Sequence, residues 1–81
     1  MMVTLSHIVG ILEEIEGDNS VPKSLRFKIA SIKQILSKEG EVEVKKSKVL
    51  HQLEEIAEDT NLQQYTRTQI WDIISGLENI Q

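Results

Sequence analysis

The string Leu-Glu-Glu-Ile occurs at residues 12–15 and again at 53–56, giving two pairs of adjacent carboxylates, Glu13–Glu14 and Glu54–Glu55. Carboxylates projecting into a helical bundle can hold two metal ions, but such sites draw their histidines from Glu-x-x-His segments. Thr4 stands three residues before His7 and Lys48 three before His51, so that spacing is absent. With Leu12 and Leu53 as the core direction, Glu14 and Glu55 lie about 200° round a helix of 3.6 residues per turn and point to water. His7 and His51 also fall on outer faces. No metal ligand set and no cofactor is therefore expected. The absence of cysteine excludes disulfides, thiolate metal sites and a thiol nucleophile. No nucleophile elbow or glycine-rich loop frames a hydroxyl, so no catalytic residue is named and no enzymatic activity is expected.

A second constellation pairs Asp18 with Arg26 and Asp59 with Arg67, each eight residues apart. Two arginines in matching places could bind an anion. The structural alternative is that each Asp caps the following helix or pairs with its Arg across a turn, and charged groups recurring in both halves favour it.

That recurrence runs through the chain. An offset of 41 also superimposes Ile29 on Ile70, Ile32 on Ile73 and Leu36 on Leu77, with apolar partners at Ile8/Val49, Val9/Leu50 and Val21/Leu62. The internal repeat covers 8–38 and 49–79 within a single helical domain, residues 1–81. Apolar residues three and four apart, as in Leu5, Ile8, Val9, Leu12 and Ile15, mark one face of a helix. The same period gives stripes of Val21, Leu25, Ile29, Ile32 and Leu36, of Val42, Val49, Leu53 and Ile56, and of Leu62, Ile70, Ile73, Ile74, Leu77 and Ile80. Turn formers at Gly17–Ser20 and Glu58–Asn61 separate the helices within each half, with Asn19 or Ser20, and Thr60 or Asn61, as candidate caps. Pro22 suits a first helical turn, and Gly40 can supply a positive φ after the second helix. The reading is all-α: an antiparallel four-helix bundle built from two similar hairpins, with helices over about 3–17, 21–38, 42–58 and 62–79.

Paired helices repeating at about 40 residues resemble HEAT-type units in a general way. A more specific resemblance rests on Asp18-Asn19-Ser20-Val21-Pro22, on Thr66-Arg67-Thr68-Gln69-Ile70-Trp71 and on the ending Leu77-Glu78-Asn79-Ile80. With these the chain resembles the short archaeal uncharacterised protein family 0147 over nearly its whole length. The resemblance implies an all-helical bundle and a cytoplasmic archaeal protein, and implies no function.

Charge is unevenly spread. Residues 23–48 hold eight of the nine basic side chains against three glutamates, a local +5, and the remainder is −9. Such a division serves either complementarity between neighbouring helices or an exposed patch for an anionic partner. Two aromatics frame the surface question. Trp71, on the flank of its stripe and opposite Ala30 in the repeat, reads as core or as a lid over a seam, with an interface anchor as the alternative. Phe27 projects from the outer side of the second helix, among Lys23, Lys38 and Gln34. The composition and stripes suit a cytoplasmic protein that does not enter membranes. The expected function is a non-enzymatic helical interaction module, acting by self-association or as an adaptor for a protein partner through Phe27, Trp71, Lys23 and Lys38. The alternative is association with nucleic acid or a ribonucleoprotein through the basic 23–48 segment.

Overall fold

The computed structural model describes residues 4–79. Val3, placed at the start of the first helix by the sequence, and Ile80, placed on the stripe of the fourth, lie outside them. Four helices follow one another: α1 (Leu5–Glu16), α2 (Lys23–Ser37), α3 (Val42–Ala57) and α4 (Gln64–Glu78). Neighbours in sequence pack side by side and α1 closes the ring against α4, while the diagonal pairs α1/α3 and α2/α4 stay apart. This is the antiparallel all-α bundle that four one-faced helices with short links require.

The stripes meet at the centre. Ile8, Leu12, Ile15, Ile29, Ile32, Val49, Leu53, Ile70 and Ile73 are wholly removed from solvent, and Val21, Leu36, Leu62 and Leu77 nearly so. At about 25 cal/mol per Å² of apolar area, this burial is the main force holding an 81-residue chain together. Three expected stripe residues depart from it: Val9 is half-buried and lies outside the core, and two others are more open. Leu5 is 40% and Val42 47% exposed, because each opens its helix at the end where α1 and α3 begin, with no further layer to cover it. They line an apolar hollow there with Leu36 and Leu77.

The two long turns also differ from the expected capping. Val21 N–H donates to the Asp18 carbonyl at 3.1 Å, and Leu62 N–H to the Asp59 carbonyl at 3.2 Å. Those turns hold the chain back, so α2 and α4 begin two residues later than their stripes suggest. Pro22 and Gln63 become the N-caps, both without a side-chain capping bond. Asn19, Ser20, Thr60 and Asn61 are thus turn residues and not caps. Thr4 is the residue whose hydroxyl caps a helix, accepting from His7 N–H at 3.2 Å. After α2 the chain reverses through Gly40, whose φ of 146° suits glycine and few other residues.

Candidate interaction surface

The basic segment divides in two. Lys33 stands 2.8 Å from Glu16 and 3.9 Å from Glu13, tying α2 to α1. The hydrogen bond to Glu16, helped by the charges of Glu16 and Glu13, raises the Lys33 pKa above the ordinary lysine range. Lys45 donates to the carbonyls of Lys38 at 2.7 Å and Leu36 at 3.4 Å, and Lys46 reaches the Glu78 carbonyl at 3.5 Å. Both ammonium groups thereby satisfy acceptors at helix C-termini, where the backbone dipole favours a cation. Lys23, Lys28, Lys38 and Lys48 remain exposed, outside any ion pair among the described residues. Internal complementarity and an exposed patch are both present, on different lysines.

Phe27 stands beside Lys23 and Lys28 of that exposed set, 73% accessible on the outer face of α2. Beside it the α2–α3 seam opens into a groove of about 470 Å³, with Lys28, Ser31 and Ile35 on one wall and Glu55 and Ile56 on the other. Ser31 is the reason for the opening: a small side chain lies one turn from Phe27 and one turn from Ile35. Glu55 is held by His51 at 3.0 Å. Lys23 lines the opposite flank of Phe27, beside Arg26 and Ala30, and Lys38 lies at the far end of α2 with Lys48 and Val44.

Trp71 is not core. It is 51% exposed, because Ile74 and Ala57 are buried on that flank of α4 and Arg67 runs across to the α3 terminus. Phe27 and Trp71 sit on diagonal helices, so the structure does not join them in one patch. Tyr65, 68% exposed on α4, escaped the sequence reading. Its position five residues, hence about 140°, from Ile70 was the available signal.

The Asp and Arg positions build turns. Asp18 Oδ1 accepts from Ser20 N–H at 2.9 Å and from the Ser20 hydroxyl at 2.7 Å. Those two bonds, with the Arg26 charge, hold its carboxyl below the usual aspartate range. Asp59 Oδ1 accepts from Asn61 N–H at 2.9 Å. Arg67 passes over the Asp59 carboxylate and donates instead to backbone, from Nη2 to the Asp59 carbonyl at 2.8 Å and from Nε to the Ala57 carbonyl at 3.2 Å. Arg26 makes no matching bond, and its Nε is buried without a partner. The expected carboxylate–guanidinium pairs are therefore replaced by two Asp-nucleated turns, one of them clasped by an arginine.

Glu14 and Glu55, from the carboxylate pairs that first invited a metal-binding reading, are exposed. No helix among the described residues is long and apolar enough to cross a membrane.

The chain as a whole is similar to known proteins. The chain is 38% identical over 78 residues to the protein MJ1419 of Methanocaldococcus jannaschii, which covers 95% of this chain and 84% of that one. It is 34% identical to PYRAB16980 of Pyrococcus abyssi, over 95% of this chain and 92% of the relative. A crystal structure titled as that of the unknown function protein MMP1188 superimposes with a TM-score of 0.86 at 35% identity, over 100% of this chain and 98% of the other. The model of an uncharacterised protein family matches residues 2–80. On this agreement of sequence and fold, the chain belongs to the uncharacterised protein family UPF0147.

Proposed function

We propose that this chain is a non-enzymatic helical interaction module of the cytoplasm, working by self-association or as an adaptor for a protein partner. The supporting observation is where the two halves part company. At the 41-residue spacing most core positions are apolar in both halves, the exceptions being Leu25 opposite the buried Thr66, Ile74 opposite Lys33 and Ala57 opposite Glu16. The exposed aromatics have no aromatic mate: Phe27 stands opposite Thr68, Trp71 opposite Ala30 and Tyr65 opposite Ser24. Packing explains the shared residues, and it gives no reason for a large ring left in water at one of two equivalent positions. Aromatic anchors carry a large share of binding energy at protein interfaces.

Multi-angle light scattering and affinity capture from native extract, each run on the wild type, F27A and W71A, test the reading. The expected result is an assembly or a specific protein partner lost in one variant whose helical content and melting temperature are unchanged. A monomer that captures no specific protein refutes it. Association with nucleic acid through Lys23, Lys28, Lys38 and Lys48 is the competing reading. It requires retention on RNA or DNA at low salt that falls steeply as salt rises.

A further inference from the structure

Resting on that interaction reading, we infer that the α2–α3 groove beside Phe27 receives an acidic amphipathic helix of another protein. Charge is the first reason. Residues 23–38 contain no aspartate or glutamate and carry five cations, of which Lys33 alone is tied to carboxylates. Lys23, Arg26 and Lys28 lie about the Phe27 ring, and Lys38 and Lys48 stand at the other end of the groove, where Glu39 and Glu41 line the same hollow; Glu55 on the α3 wall is held by His51. A helix docking at the Phe27 end, where the lining carboxylate Glu16 is engaged by Lys33, meets positive potential there, which steers an acidic partner and repels a basic one.

Shape is the second reason. Two antiparallel helices leave a channel into which a third helix packs by ridges and grooves. Phe27, Ser31 and Ile35 lie four residues apart along one line of α2, so the two apolar groups are about 12 Å apart at a rise of 1.5 Å per residue. That separation matches side chains at i and i+7 or i+8 of a docked helix, the spacing of helix-in-groove recognition. Ser31 leaves room between them for an aliphatic knob against Ile35 and Ile56.

A second folded copy fits less well. Each helix of this chain buries its own apolar stripe in its own core, and two α2 faces set against each other oppose like charges. Nucleic acid fits less well too, since the groove offers one aromatic where base stacking uses several.

The test uses the full chain, isotopically labelled, with two synthetic helical peptides sharing leucines at i, i+4, i+7 and i+11. One carries glutamate on its other faces and the second carries lysine. The glutamate peptide should shift amide signals centred on Phe27, Ser31, Ile35 and Gln52, and bind at least about tenfold more tightly than the lysine peptide. F27A should weaken it by a similar factor with an unchanged melting curve. K23E/K28E should reverse the order of the two peptides. Equal binding of both peptides overturns the proposal, as does no shift at millimolar peptide. Shifts centred on Tyr65 and Trp71, or a dimer of the chain itself through this face, overturn the proposal while the interaction reading stands. Salt-sensitive binding of an RNA oligomer at the same lysines, with no peptide bound anywhere, overturns both.

Discussion

At the seam of the first hairpin, Lys33 of α2 reaches Glu16 of α1 at 2.8 Å, whereas the positions 41 residues further on hold Ile74 and Ala57, both buried. The difference spreads to the arginines. With only a methyl group at residue 57, the Ala57 carbonyl is open to Arg67. In the first hairpin a carboxylate side chain occupies the equivalent place and is engaged by Lys33, and Arg26 Nε finds no acceptor. One backbone path thus accepts a polar seam or an apolar one. The apolar layer beneath is common to both, and it decides the fold.

On that account the largest effects are equal between the halves. Leu12→Ala and Leu53→Ala remove side chains with no solvent exposure, and each should cost about 2–5 kcal/mol. Urea denaturation compares them. A gap above about 1.5 kcal/mol between the two variants breaks the equivalence of the hairpins at the level of the core. The arginines should then separate them. Arg67→Ala deletes two charge-assisted bonds to backbone carbonyls and should cost about 1–2 kcal/mol, while Arg26→Ala should stay within about 0.5 kcal/mol of wild type. Equal losses at the two sites contradict the asymmetry described above.

Sequence periodicity was enough to find the layer the hairpins share. Leu12, Ile15, Leu53 and Ile56 are apolar at helical spacing and buried, because a stripe of that kind has one stable destination. Trp71, which the sequence reads first as core or a lid, is half exposed, since a residue on the flank of a stripe is core or surface according to how much its neighbours fill the seam, and here Ile74 and Ala57 are the buried residues. The pairing of Arg67 was half legible: the spacing from Asp59 is right, but the acceptors are backbone carbonyls, which leave no mark in side-chain patterns. The α2–α3 groove was not legible at all. It exists because Ser31 on one helix happens to face Gln52 and Ile56 on another, a relation between helices that periodicity within one helix cannot express.

The seam itself offers a smaller test. Replacing Lys33 by Ile and Glu16 by Ala together transplants the second hairpin's seam into the first. Ion pairs of this kind are often matched by well-packed apolar groups, so the double variant should hold or raise the urea midpoint, whereas Lys33→Ala alone should lower it. A double variant less stable than the single one means that the two seams are not interchangeable. The pair also sets a pH dependence. Because the folded pKa of Lys33 is raised, its contribution is present through neutral pH and is lost only as the solution passes above the ordinary lysine range towards that raised value.

The smallest expected difference lies in the turns, where the Ser20 hydroxyl gives Asp18 a second bond that Asp59 lacks. Ser20→Ala keeps the backbone donor and removes the hydroxyl, so the first turn becomes bonded as the second is. The Asp18 carboxyl, held low in the wild type chiefly by that hydroxyl, should then titrate closer to the usual aspartate range in a carbon-detected NMR titration. A carboxylate whose folded pKa is depressed adds stability above its unfolded pKa and loses that contribution as pH falls through the folded one. The wild type should therefore exceed Ser20→Ala in stability at neutral pH, and the two should converge in acid below the depressed pKa. A gap that persists unchanged into strong acid would show that Ser20 supports the turn through its hydroxyl's packing and not through the charge on Asp18.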